Sequence, residues 1–275
     1  EAGLRTNDKW QPFPEEINRR VAGAVADLHF APTERARRNL LQEGVPAAQV
    51  VVTGNPVIDA LRWVAGLPTT PDVDALMRRL GLDGGAPVGP DGLMSARSPR
   101  LILVTAHRRE NFGKPLLNIC LALREIADRY RGQIRIVYPV HLNPNVWEPV
   151  HRFLSDVSEI TLLPPLDYLH LVHLMKRSYL VLTDSGGIQE EAPGLGKPVL
   201  VLRDVTERVE AVEAGTVRLV GTDRGRIVSE TIRLMEDSSE YASMSRSVNP
   251  YGDGHAAERI VSKLLSQGAR APKNR

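Results

Sequence analysis

Six short apolar runs, spaced by polar and helical stretches, constrain this chain more than any other feature. They are QVVVTGN (49–55), RLILVTAH (100–107), IRIVYPVH (134–141), EITLLPP (159–165), YLVLTDS (179–185) and PVLVLRD (198–204). Runs this short and this rich in Val, Ile and Leu suit strands buried on both faces of a parallel sheet. Helical candidates lie between them: PLLNICLALREIADRY (115–130), YLHLVHLMKRS (168–178) and GGIQEEAPGLG (186–196). Repeated strand–helix alternation predicts an α/β fold with a doubly wound sheet. No internal repeat is evident.

Composition narrows the classes open to such a fold. A chain of 275 residues suits one large domain or two medium ones. Lys and Arg number 35 against 33 Asp and Glu, a formal net charge of +2, which argues against nucleic acid and against a polybasic membrane anchor. The apolar runs are strand-sized, so no membrane span is expected. Three Trp and few other aromatics argue against a single-stranded nucleic-acid platform. The single cysteine, Cys120, excludes an internal disulfide and a cysteine-built zinc site, and a reducing cytoplasm is the expected location. No HExxH, Walker or GxSxG pattern occurs, so neither a metal nor a cofactor is expected. GLDGGAPVGPDGLMSARSPR (81–100) reads as a solvated linker and GARAPKNR as a basic tail. The chain opens abruptly at Glu1 without a signal-peptide pattern, and reads as a fragment whose upstream part is missing.

Chemistry concentrates at the ends of the apolar runs. In TDSGGIQEEA, Gly186 and Gly187 would let a ligand approach the backbone, and the helix start beyond them would offer N–H groups to a phosphate. Ser185 would add a hydroxyl. Glu190 and Glu191 would fall in the first helical turn, either as carboxylates favoured there by the helix dipole or as acceptors for ribose hydroxyls. His107, Arg108 and Arg109 follow another run, where a diphosphate or a leaving-group oxygen would suit them better than a surface cluster with Glu110 would. Arg208 reads from spacing alone as an ordinary surface ion pair with Glu207 or Glu210, and otherwise as a third cation for the same anion. His141 ends a further run and reads first as structural. Glu1, Glu15 and Glu16 form an acidic set near Arg5, Arg19 and Arg20, with Glu15 and Glu16 at a helix start after Pro14.

Several phrases in sequence order resemble the non-hydrolysing UDP-N-acetylglucosamine 2-epimerase family: EAGLRTND with PFPEEINRR, TGNPVIDAL, VTAHRRENFG, VYPVHLNPNV, the long block from LTDSGGIQEEAPGLGKP through ERVEAVEAGT, and NPYGDG. The resemblance implies two Rossmann-like domains of the glycosyltransferase-B type with the nucleotide sugar in the cleft, the first domain here incomplete. Residues 1–54 would be the remnant of that domain and 55–258 the UDP-binding domain. Residues 259–275 would form a helix returning to the first domain, and a tail. The implied reaction interconverts UDP-N-acetylglucosamine and UDP-N-acetylmannosamine by eliminating UDP to 2-acetamidoglucal and adding it back. The implied setting is a cytoplasmic homodimer serving cell-envelope polysaccharide biosynthesis.

Carried over by position, Glu1, Glu15 and His107 match proposed catalytic residues. Glu1, His107, Leu166, Leu171, Ser185, Gly186, Gly187, Glu191 and Arg208 match substrate and UDP contacts. Glu191 is the ribose carboxylate, which leaves Glu190 structural, and Leu166 and Leu171 border the uracil. Arg108 and His141 fall where some bacterial members bind a second, activating substrate molecule. Three departures stand out: the family's opening segment is absent, the loop at 81–100 is long, and Val209 stands where a proline is usual. The competing readings are a hydrolysing relative that releases UDP and N-acetylmannosamine, a glycosyltransferase on the same architecture, and a non-catalytic nucleotide-sugar-binding module.

Overall fold

A computed structural model describes residues 1–82 and 99–268. Most of the 81–100 linker and all but Gly268 of the GARAPKNR tail therefore lie outside the described residues. The chain groups into two compact units, Glu1–Trp63 with Pro250–Arg275, and Val64–Asn249.

The first unit opens with a loop closed onto helix α1 (Glu15–Val25) and continues through β1 (His29–Ala31), α2 (Glu34–Gln42), β2 (Val50–Val52) and the start of α3 (Pro56–Gly66). Strands β1 and β2 pair in parallel, with His29 opposite Val50 and Ala31 opposite Val52. Helix α2 is the crossover; Thr33 caps it by accepting from Ala36 N at 3.1 Å. Leu4, Ala31, Ala36, Leu40 and Val50 form the apolar core of this βαβ unit.

The second unit takes the chain through α4 (Pro71–Arg79), β3 (Arg100–Thr105), α5 (Lys114–Arg129), β4 (Ile134–Pro139), α6 (Pro144–Leu154), β5 (Ile160–Leu163), α7 (Tyr168–Arg177), β6 (Leu180–Thr183), α8 (Ile188–Gly194), β7 (Val199–Val201), α9 (Val209–Glu213), β8 (Val217–Leu219), α10 (Arg224–Glu236) and α11 (Ser238–Arg246). Six strands form one parallel sheet in the order β5-β4-β3-β6-β7-β8. Counted from β3, this is the 3-2-1-4-5-6 order of dinucleotide-binding sheets, with the reversal between β3 and β6. Strands β6 and β7 are buried along their whole length, as their almost wholly apolar sequence requires. Helix α5 shows the complementary pattern: Leu116, Ile119, Cys120, Leu123, Ile126 and Ala127 repeat at helical spacing and all face the core.

All six apolar runs hold a strand, and the α/β fold with parallel sheets is what the chain has. Two strands, β1 and β8, were not among those runs. Val209, the departure from the family's proline, is the first residue of α9, the helix position that tolerates proline and equally tolerates valine.

The chain closes on the first unit with α12 (Ala256–Gly268). Asp59 caps it, accepting from Ala256 N at 3.2 Å and Ala257 N at 2.7 Å. Asn55 N donates to Tyr251 O at 2.7 Å, and Gly54 (φ +84°) lies against Gly252 (φ +136°). The phrases TGNPVIDAL and NPYGDG thus meet each other, and their glycines serve that junction.

Candidate functional site

In the second unit the loops after β3 and β6 flank the point where strand order reverses, the place where open α/β sheets bind ligands. Thr105 and Thr183, paired in register at the ends of these strands, share a hydroxyl–hydroxyl hydrogen bond of 2.6 Å. One residue beyond Thr183, the fully buried Asp184 reaches across the reversal. Its Oδ2 accepts from His107 N at 2.9 Å, Arg108 N at 2.8 Å and Asn111 Nδ2 at 2.9 Å. Tyr138 Oη donates to Ala106 O at 2.5 Å and fixes the residue before His107.

The His107 ring stacks on His141 at 5.4 Å between centroids, so two histidines from separate strand ends share one wall. Burial pushes the His107 pKa down. Asp184 opposes that shift, while His141 and Arg108 add to it. A neutral imidazole in this position can take a proton or accept a hydrogen bond. Glu110, the partner in the less favoured reading of a surface cluster with Arg108 and Arg109, accepts from Arg203 Nε at 2.6 Å.

The Ser185–Gly187 turn lies between these groups and Arg208. The space above Gly186 is filled from within the protein: a Cβ there would stand 2.7 Å from Arg208 Nη1. Arg208 is buried, not a surface residue as spacing alone had it. Its Nε donates to Glu190 Oε1 at 2.9 Å and its Nη1 to Glu207. Glu210, the other expected partner, is half-buried on α9. Arg203 extends the network, donating from Nη1 to Glu207 Oε2 at 3.2 Å. A buried arginine held by two carboxylates is aimed and cannot swing freely.

Glu191 lies on the other side of that turn: a Cβ at Gly187 would stand 3.3 Å from its Oε1. Tyr168 Oη donates to its Oε2 at 3.0 Å, and burial raises its carboxyl to about 7, the effect of Glu190 adding to burial and the tyrosine working against it. Leu166 and Leu171, at the entry and middle of α7, are both half-buried, and Leu166 packs on a cluster that includes Val73, Leu163 and Leu174.

In the first unit, Glu1 accepts from Arg19 Nη2 at 2.6 Å and Nε at 3.0 Å and is 45 % exposed. Glu15 opens α1 one turn before Arg19 and is half-buried. The acidic set divides here. Glu16 is fully buried and accepts from Thr6 N (3.2 Å), Asn7 N (3.3 Å) and Arg20 Nη2 (3.3 Å), closing the N-terminal loop. Arg5 forks onto Glu43 with two 2.8 Å bonds, away from that set.

Sequence reasoning missed Asp184, Asn111 and Tyr168 as members of this constellation, whereas Glu207 was expected beside Arg208 and is there. Among the described residues no cluster of three His, Cys, Asp or Glu is placed to hold a metal, and no helix is long and apolar enough to cross a membrane. A cavity of 520 Å³ elsewhere in the second unit, lined by Met77, Leu82, His173, Lys176 and Arg177 among others, includes none of the expected site residues.

The strand order and the groups gathered at its reversal define a doubly wound α/β protein of the nucleotide-binding kind. The sequence profile described as UDP-N-acetylglucosamine 2-epimerase matches residues 1–265. The UDP-N-acetylglucosamine 2-epimerase of Escherichia coli K12 is 54 % identical over 265 residues, covering 96 % of this chain and 67 % of that protein. The crystal structure of UDP-GlcNAc 2-epimerase from Neisseria meningitidis bound to UDP-GlcNAc matches with a TM-score of 0.86 at 45 % identity, covering 97 % of this chain and 68 % of that one. The S. aureus MnaA–UDP co-structure matches with a TM-score of 0.85 at 44 % identity, covering 98 % and 68 %. The chain belongs to the UDP-N-acetylglucosamine 2-epimerase family, and it spans about two thirds of the length of these relatives.

Proposed function

We propose that this protein catalyses the reversible C2 epimerisation of UDP-N-acetylglucosamine and UDP-N-acetylmannosamine. The observation that carries the reading is the conjunction of a family match over nearly the whole chain with His107, the Ser185–Gly187 turn and Arg208 gathered around one sheet reversal. The C2 proton of the sugar is weakly acidic and the bond to UDP must break, so proton transfer and leaving-group stabilisation share the barrier.

In the proposed mechanism UDP leaves C1 as the C2 proton is removed. The 2-acetamidoglucal so formed is reprotonated at C2 from the opposite face, and UDP returns to C1. Glu1, Glu15 and His107 carry the proton transfers. The Ser185, Gly186 and Gly187 backbone, Arg208 and His107 hold the departing diphosphate. Glu191 accepts from the ribose hydroxyls, and Leu166 and Leu171 border the uracil. Burial supports the assignment of His107, because a neutral imidazole is ready to act as base. Arg108 and His141 are proposed to contact a second, activating substrate molecule; the His107–His141 stack supports such coupling. A homodimer in the cytoplasm, working without a cofactor and serving cell-envelope polysaccharide synthesis, completes the proposal.

Chromatography of the products from UDP-N-acetylglucosamine and the full-length gene product tests the activity. UDP-N-acetylmannosamine in equilibrium with its epimer is expected. Free UDP with N-acetylmannosamine would instead establish the hydrolysing reading.

A further inference from the structure

Asp184 takes part in none of the roles assigned above, yet it accepts three hydrogen bonds across the sheet reversal. It is fully buried; one carboxylate oxygen takes three N–H donors from the loop after β3, and Oδ1, also buried, has no hydrogen-bond partner among the described residues. The donors are spread along the loop: the first two are consecutive main-chain amides, and the third is the side chain of Asn111, whose Nδ2 also reaches Leu202 O at 3.1 Å after β7. The residue that follows Asp184 begins the Ser185–Gly187 turn. A neutral acceptor would satisfy three donors as well, so hydrogen bonding alone does not call for a buried charge.

We propose that Asp184 is a positioning residue that hangs the His107–Asn111 loop on the Ser185–Gly187 turn and supplies the negative charge that faces His107. It fixes the distance between the group that handles the proton and the turn that holds the diphosphate, and it keeps the imidazole able to accept a proton where two other charged neighbours oppose it. Those neighbours are Arg108 on the same loop and His141 on the loop after β4. The kinetic part of the proposal rests on the epimerase reading; the effect on His107 does not.

The test compares the full-length gene product with its Asp184→Asn variant, labelled at histidine for NMR, with the His107 signal assigned by its loss in His107→Gln. The amide keeps an acceptor oxygen for the three donors and removes the charge. The His107 midpoint is expected to move to lower pH, since an anion that favours the imidazolium has gone. The kcat for epimerisation is expected to fall about tenfold to a hundredfold, as small misplacements of reacting groups do, with KM changing less than about threefold. An unchanged midpoint overturns the proposal, and so does an unchanged kcat in an enzyme that turns over. Asn111→Ala provides a second variant that keeps the charge and removes one donor. Solvent exchange of the His107 and Arg108 amides is expected to accelerate more than that of the β4 and β5 amides, and an exchange unchanged relative to those strands overturns the clamp. If the wild-type protein turns over no nucleotide sugar, the epimerase reading fails, while titration and exchange still decide the role of Asp184.

Discussion

At the residue scale, Glu191 is the group whose environment changes its chemistry most visibly. Burial raises its carboxyl from an ordinary 4.5 to about 7. Between those values the folded state binds more protons than the unfolded one, so stability falls as pH rises through the window, by roughly 3 kcal/mol in all. Glu191→Gln is expected to remove that slope from thermal melts recorded between pH 4.5 and 7.5. The ionised carboxylate accepts from ribose hydroxyls more strongly than the neutral acid, so UDP affinity should strengthen from pH 6 to pH 8. In Tyr168→Phe, which loses a donor to the carboxylate, the midpoint of that profile should move higher. Titration calorimetry of both proteins across the range checks the comparison, with UDP's own ionisation common to the two. Gly186 makes a second prediction. Ala at this position would meet the Arg208 guanidinium at 2.7 Å, and Glu190 and Glu207 leave that group little room to yield. Gly186→Ala should weaken UDP binding by about tenfold, or 1.4 kcal/mol, and an unchanged Kd would show that Arg208 relocates freely. The paired glycines were legible as a close-approach signal in the sequence. That the approaching group is Arg208, 22 residues on, was not, because spacing within a chain carries no information on how two loops fold together. The Tyr168–Glu191 contact was hidden for the same reason, and Asp184 because an acidic residue at a strand end looks like any solvated loop residue.

At the scale of elements, hydrophobic run length made six strands readable, since a strand buried on both faces must be almost wholly apolar. The two it did not reveal are three residues long: HFA in β1 carries a buried polar His29, and VRL in β8 places Arg218 mid-strand, where its guanidinium runs out to Glu230 and Glu240. Short strands of mixed character give no periodic signal. The first unit was legible mainly as motifs, and two of these prove to be one structural joint. Gly54→Ala would put a side chain on a left-handed residue with Gly252 Cα at 3.3 Å and Tyr251 O at 3.4 Å, at a cost of about 1–3 kcal/mol. Hydrogen exchange should show lost protection within residues 1–63 and 250–268, with the amides of β3 to β8 unaffected. Lost protection spread evenly over both units would contradict a local joint.

At the scale of the whole molecule, the central claim is the reaction itself. Family membership and a sheet reversal of the kind that binds ligands in open α/β sheets support the reading, and the proposed elimination–addition mechanism requires that the C2 proton be lost and replaced. Proton NMR of UDP-N-acetylglucosamine with the full-length gene product in D2O therefore tests the account most directly. It predicts signals of UDP-N-acetylmannosamine and deuterium at C2 of both epimers as the mixture equilibrates. Epimerisation with the C2 proton retained, or a spectrum that never changes while UDP remains bound, would contradict it.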